Sequence, residues 1–224
     1  MSKEKNLNYK LFTTAVVANT LLGLVVLLLS YYIGRNEFFL LLNGNLGGAA
    51  DFFFRYYTYM GDGIWWIPCL LIFIKKYKPL LPLVISSCVF TTLFIQVCKQ
   101  IILPDVLRPV LAIEAQEQVH YVTGVIVHTT NSFPSGHAAT AFTFLLLACL
   151  LTKRVWPLMV AGVGALLVGY SRVYLGQHFP LDVGAGMLVA SCSVLLSLIV
   201  QNSFTKKKNF RMPARQQYRL EVEK

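Results

Sequence analysis

Charge is what this chain has least of. Only 13% of its 224 residues are Asp, Glu, Lys or Arg, and the acidic residues number 10. Soluble domains run nearer a quarter charged, so a water-soluble globule is excluded. Disorder is excluded too, because 56% of the residues are hydrophobic and such a chain cannot stay solvated and unfolded. Cysteine is sparse and unpatterned. Cys69, Cys88, Cys98, Cys149 and Cys192 form an odd set without a CxxC, each inside an apolar run. They read as small buried hydrophobes, not as a disulfide framework or zinc ligands. No repeat, low-complexity tract, P-loop or Rossmann fingerprint occurs.

What the chain does have is long apolar runs. A helix crosses the hydrocarbon of a bilayer in ~20 largely apolar residues. Six segments fit: Leu11–Ile33, Tyr56–Ile74, Pro79–Leu103, Pro134–Thr152, Val155–Gly176 and Pro180–Val200. The expected fold is all-α, a polytopic membrane protein with six transmembrane helices in one bundle. Residues 1–224 form one domain, ending in a basic tail over 201–224. The first run is too long for a signal peptide and lacks a cleavage pattern. The second is interrupted by Gly61, Asp62, Gly63 and Pro68. Just before it, Leu46 to Phe54 fits an interfacial amphipathic helix, with Asp51 and Arg55 paired at i,i+4. Tyr56, Tyr57, Tyr59, Trp65 and Trp66 have the character of interfacial aromatics.

The formal charge is +10, and its distribution gives the orientation. With the N-terminus in the cytoplasm, 15 of the 20 Lys and Arg fall on that side. They are Lys3, Lys5, Lys10, Lys75, Lys76, Lys78, Lys153 and Arg154, then seven in the tail from Lys206 to Lys224. Both termini are therefore cytoplasmic. The basic balance needs no nucleic acid, although the tail also suits anionic lipid headgroups. Arg35, Arg55, Lys99, Arg108 and Arg172 run against the bias. Three of them, Lys99, Arg108 and Arg172, adjoin the polar stretches KQIILPDVLRP, SFPSGH and SRVYLGQHFPLD. All three stretches fall at the outer ends of helices three to six.

In SFPSGH, Pro134 suits the first turn of a helix. The N–H groups of Ser135 and Gly136 would then point from that helix start toward an anion, Gly136 would admit a ligand to the backbone, and the Ser135 hydroxyl would add a donor. The same residues equally describe an ordinary helix start. His178 and Asp182 are one turn apart, so the carboxylate can fix the imidazole tautomer and free the other nitrogen for attack. A polar cluster at a helix interface is the alternative. Lys99, Arg108 and Arg172 supply charge for phosphoryl oxygens. With His137 added, the set suits phosphoryl transfer without a metal, since carboxylates are too few to hold magnesium.

The whole pattern resembles the type 2 phosphatidic acid phosphatase superfamily, shared with vanadium haloperoxidases and bacterial acid phosphatases. Its signature is a Lys and an Arg-Pro pair, then PSGH, then Ser-Arg, five residues, His, three residues and Asp. Here these are Lys99, Arg108-Pro109, Pro134–His137, and Ser171-Arg172 through His178 to Asp182. The family usually has six residues between the Lys and the Arg-Pro, whereas eight lie between Lys99 and Arg108, as in some of its lipid A phosphatases. Lys99 has no competitor, being the only lysine between Lys78 and Lys153.

The resemblance implies that His178 is the nucleophile, Asp182 its orienting partner and His137 the proton donor to the leaving oxygen. Lys99, Arg108, Arg172, Ser135 and Gly136 would hold the phosphoryl oxygens, with no cofactor. It implies a phosphatase of a membrane lipid phosphate or diphosphate, acting through a phosphohistidine on the periplasmic side of a bacterial inner membrane. Lipid A is slightly favoured over undecaprenyl diphosphate and phosphatidylglycerol phosphate. A vanadate-dependent haloperoxidase and a non-catalytic lipid-binding protein are the competing classes. Outside the motifs, His120 and His128 read as exposed loop histidines, with headgroup contact as the alternative. Asp62, an acid inside a span, is either functional or the mark of a broken helix.

Overall fold

The computed structural model describes residues 7–152 and 154–210, with side chains described through Thr205. Lys3, Lys5, Lys153 and the tail from Arg211 lie outside the described residues, as do the side chains of Lys206, Lys207 and Lys208. Nine α-helices are described: α1 (Tyr9–Ile33), α2 (Arg35–Leu42), α3 (Gly48–Tyr57), α4 (Trp66–Lys76), α5 (Leu81–Val97), α6 (Pro109–Ala112), α7 (Gly136–Leu151), α8 (Val155–Tyr174) and α9 (Pro180–Phe210). No strand occurs among the described residues. Helix α9 is the central post, packed against α1, α5 and α7, while α8 lies along α7.

Helix α1 shows that the solvent is lipid. It turns Phe12, Val16, Asn19, Gly23 and Ser30 inward, and leaves Leu21, Val25 and Leu28 exposed. A helix in water does the reverse. In a bilayer, lipid is as apolar as leucine, so small and polar residues make the helix contacts. Asn19 donates to the Met187 carbonyl (2.8 Å) and to Ser191 Oγ (2.9 Å). Nearby, a Cβ on Gly23 would sit 3.0 Å from the Gly184 carbonyl, so glycine is what lets α1 approach α9. The start of α5 is tied to α9 by Gln201, which accepts from the Leu83 N–H (3.1 Å) and donates to the Pro79 carbonyl (2.9 Å).

Among the described residues, four helices are long and apolar enough to cross a membrane: Tyr9–Ile33, Lys78–Ile102, Val155–Tyr174 and Pro180–Thr205. The apolar helix α7 has 16 residues, roughly 24 Å at 1.5 Å per residue. The expected single span over 56–74 is instead a broken pair, Gly48–Gly61 and Gly63–Lys76, bent by 47°. Asp62 sits at the break in extended backbone and accepts from the Ile64 N–H (3.2 Å), restarting the helix. Trp66 is not interfacial. It is buried, its ring centroid 4.6 Å from that of Phe144. The cysteines are all free; Cys149 is buried, but Cys192 is exposed on α9.

The segment 110–133 between α5 and α7, the outer segment of the expected topology, folds over α3, and this displaces the expected Asp51–Arg55 pair. Asp51 binds His120 Nε2 (2.8 Å) and Tyr174 Oη (2.5 Å), while Arg55 donates to the Thr123 carbonyl (3.2 Å). His120 is therefore a tethered side chain and not an exposed loop histidine. Asn43 completes the tether. It accepts from the His120 N–H (2.7 Å) and donates to the carbonyls of Val173 and Tyr174, both at 2.9 Å, closing the C-terminus of α8.

Gly61 brings the broken segment hard against α7. A Cβ there would lie 2.5 Å from Val168 Cγ1 and 2.8 Å from the His137 carbonyl, whereas one on Gly63 would meet nothing within 4 Å. Overpacking of this kind costs about 1–3 kcal/mol. Gly61→Ala is expected to lower the melting temperature in detergent, and Gly63→Ala to leave it within a degree or two of wild type. Equal melting of the two variants would refute the close contact.

Candidate active site

The site grows from the turn between α8 and α9. Gly176 takes φ +66°, and the chain folds back so that the N–H groups of Gln177 (2.9 Å) and His178 (3.0 Å) both donate to the Arg172 carbonyl. This turn buries His178 and lets α9 start at Pro180. Asp182 then lies in the first turn, where a carboxylate is favoured. Its Oδ2 accepts from the Phe179 N–H (3.0 Å), Ser132 Oγ (2.5 Å) and His178 Nδ1 (3.2 Å). An acceptor on Nδ1 fixes the proton there, leaving a lone pair on Nε2.

That Nε2 lies 3.4 Å from Nη1 of Arg108. Arg108 is held by backbone: Nε donates to the Thr130 carbonyl (2.9 Å), Nη1 to the Gln177 carbonyl (2.9 Å) and Nη2 to the Asn131 carbonyl (3.4 Å). Lys99 stands in a π-helical turn, Cys98–Ile102, that finishes α5, with the Leu103 N–H donating to the Cys98 carbonyl (2.8 Å). The Asn131 amide, oriented with its nitrogen toward the acceptors, braces that turn at the carbonyls of Lys99 (2.8 Å) and Pro104 (2.7 Å). Arg172 donates from Nη1 to Thr58 Oγ1 (2.7 Å), while its Nε is buried without a partner. Burial of a strong donor without an acceptor is costly, and Arg172 carries that cost with one donor unspent.

Burial holds the His178 imidazole well below its ordinary pKa, and the charges of Arg108, Arg172 and Lys99, then His137, push it further down. His178 is thus neutral, and all four residues act on one ring. His137 is the second residue of α7 and lines a cavity of about 280 Å³ with Arg172, Thr58, Asp62 and His128. The sequence-predicted residues Lys99, Arg108, Ser135, Gly136, His137, Arg172, His178 and Asp182 therefore gather at one end of the bundle.

Two expectations need correcting at the start of α7. Pro134 is not in its first turn. Ser135 is the N-cap, its Oγ 3.5 Å from the Ala138 N–H, and Pro134 precedes it. The Ser135 N–H is also unavailable to an anion, because it donates to the Asp182 carbonyl (2.9 Å). The donors left over at a helix start are those of the first turn, here Gly136 and His137. Sequence reasoning assigned no role to Ser132, Gln177 or Thr58. Each acts through a partner distant in the chain, and only the position of Ser132 inside SFPSGH signalled it. Asp62 and His128, weighed from the sequence, both line the cavity. Among the described residues, no three His, Cys, Asp or Glu side chains group as metal ligands.

The chain is similar to known proteins. The family model of the PAP2 superfamily matches residues 80–206, which hold every motif residue above. An undecaprenyl-diphosphatase of Sulfolobus acidocaldarius is 34% identical over 209 residues, covering 84% of this chain and 93% of that protein. A lipid A 4'-phosphatase of Bacteroides thetaiotaomicron is 28% identical, covering 76% of this chain and 78% of that protein. The crystal structure of Aquifex aeolicus LpxE superposes with a TM-score of 0.63 at 29% identity, covering 73% of this chain and 93% of that one. On its motifs, its helices and these relatives together, the chain belongs to the PAP2 superfamily.

Proposed function

We propose that this protein hydrolyses a phosphate monoester or diphosphate of a membrane lipid, without a metal, through a phosphohistidine on the non-cytoplasmic face. The observation that carries the reading is the buried imidazole of His178, with Nδ1 on Asp182 and Nε2 turned toward Arg108. Nε2 attacks phosphorus as the bond to the leaving oxygen breaks. His137 gives that oxygen a proton, then takes one from the water that cleaves the phosphohistidine. Lys99, Arg108, Arg172, the Ser135 hydroxyl and the Gly136 N–H hold the oxygens and stabilise the transition state. A Cβ on Gly136 would make only ordinary contact, 3.7 Å from Ile95. The protein's own packing does not demand glycine there, which suits a ligand close to that backbone.

The Lys99–Arg108 spacing and the long outer segment favour lipid A, and the Bacteroides relative carries that substrate in its name. Undecaprenyl diphosphate is the second reading, favoured by the Sulfolobus relative. Phosphatidylglycerol phosphate fits the same cradle. In this proposal the chain is a single domain in a bacterial inner membrane. Its six spans are the four long helices, the broken pair taken as one, and α7. A haloperoxidase or a lipid-binding scaffold would leave the acid–nucleophile pair without lipid phosphatase turnover; phosphate release from a panel of purified lipid phosphates marks the phosphatase, and halide oxidation with vanadate present marks the haloperoxidase.

Turnover on that panel is expected to survive EDTA and to be inhibited by vanadate, which takes the five-coordinate geometry of the transition state. His178→Ala should abolish both turnover and the phosphoenzyme trapped by rapid quench. His137→Ala should slow turnover by roughly 10²–10⁴-fold, the worth of a positioned acid–base group. Loss of activity in EDTA with recovery on magnesium, or near-normal rates in His178→Ala, would sink the mechanism.

The pH profile follows from His178. A lowered pKa means the ring stays neutral until the pH falls below its ordinary range, so the acid limb of kcat/KM should lie below the ordinary imidazole value of about 6.5. An acid limb centred above that value would contradict a nucleophilic His178.

Orientation is tested by labelling. Ile126 in the outer segment and Arg154 between α7 and α8 are both exposed. In intact cells an impermeant thiol reagent should label Ile126→Cys and spare Arg154→Cys, and the reverse pattern would invert the topology.

A further inference from the structure

Of the outer cations, Lys99, Arg108 and Arg172 surround His178. Arg35 lies over the Phe179 ring, its Cζ 4.3 Å from the centroid. Arg55 is left, and it lines the cavity that His137 and Arg172 share. Its guanidinium spends one hydrogen bond on the Thr123 carbonyl (3.2 Å) and has Cζ 5.7 Å from the Tyr56 centroid. Asp51, one turn earlier on α3, is taken by His120 and Tyr174. The carboxylate on the cavity wall, Asp62, accepts from the Ile64 N–H, and its charge acts on Arg172. Arg55 thus presents a positive charge to the cavity with no carboxylate bound to it among the described residues.

The position of that charge gives it a use. His178 is reached by the phosphoryl group that Arg108 and Arg172 hold, and His137 stands where the leaving oxygen departs. The cavity beyond His137 is then the space for the leaving group, and Arg55 is on its wall. An alcohol leaving group, neutral once protonated, gains little from a guanidinium. A leaving phosphate carries charge that Arg can grip with two parallel N–H bonds.

We propose that Arg55 is a specificity-determining residue that binds an anionic leaving group, so that the enzyme favours lipids whose terminal phosphoryl is joined to a second phosphate. This rests on the phosphatase reading above and, among its substrates, sets the second reading, a lipid diphosphate, ahead of a lipid A monophosphate. In the step, His178 Nε2 bonds to the terminal phosphorus, and the electron pair of the P–O bridge passes to the bridging oxygen. The lipid monophosphate departs against Arg55. Water then cleaves the phosphohistidine, releasing inorganic phosphate and restoring the lone pair on Nε2.

Farnesyl diphosphate and farnesyl monophosphate in detergent, with identical tails, make the test. Arg55→Gln is expected to lower kcat/KM on the diphosphate about tenfold or more, the worth of a charge-assisted hydrogen bond, and to leave the monophosphate within about twofold. That second rate also certifies the fold of the variant. Arg55→Lys should recover part of the diphosphate rate, because charge returns without the fork. Equal losses on both substrates, or no loss, overturn the role of Arg55 and leave the phosphatase reading intact. A wild-type enzyme that releases phosphate from the monophosphate alone also overturns it. Release from neither farnesyl compound, nor from any lipid phosphate of the panel, brings down both.

Discussion

Asp182 is the constraint on which the rest of the structure turns. A buried carboxylate is costly unless several donors meet it, and its Oδ2 collects three from different places. One is its own helix start, through Phe179 N–H; one is the α8–α9 turn, through His178; one is the segment 110–133, through Ser132. The carbonyl of the same residue takes the Ser135 N–H and so fixes the entry to α7. Removing Asp182 would therefore loosen three segments as well as free an imidazole. Chemistry and architecture share one residue here.

Around that anchor, the bundle is arranged inside out relative to a soluble protein. Leucine and valine face outward on α1, while Asn19, Gly23 and Ser30 face α9 and its neighbours. The polar contacts that join helices are few, and each closes a donor or carbonyl that hydrocarbon would leave stranded. Gln201 does this for α5 and Asn43 for α8. Arg108 and Arg172 are held in the same manner, through carbonyls and a hydroxyl, so neither charge is spent on a carboxylate. Arg108, bound to three backbone carbonyls, is the clearest example.

Much of this was legible in the sequence, for a physical reason. The four-residue spacing brings Asp182, in the first turn of α9, back against His178 in the turn before it, and apolar length in α1, α5, α8 and α9 speaks for itself. What was hidden depended on distant partners. No local rule pairs Ser132 with Asp182, or Thr58 with Arg172. The i,i+4 rule even misled, since Asp51 found its partner in His120, on the segment folded over α3, and not in the helix neighbour Arg55. Pro134 misled similarly: a proline beside a helix start fits on either side of the cap, and the tie between Ser135 and Asp182 decided which.

The π-helical turn at Lys99 has a consequence for how such a site tolerates change. An ordinary helix transmits any added residue as a rotation of everything beyond it. A turn closed by the Leu103 N–H on the Cys98 carbonyl instead absorbs one extra residue within itself, and the Asn131 amide clamps it from outside. The end of α5 is in effect an expansion joint, letting the stretch from Lys99 to Arg108 differ in length while both cations still converge on one imidazole.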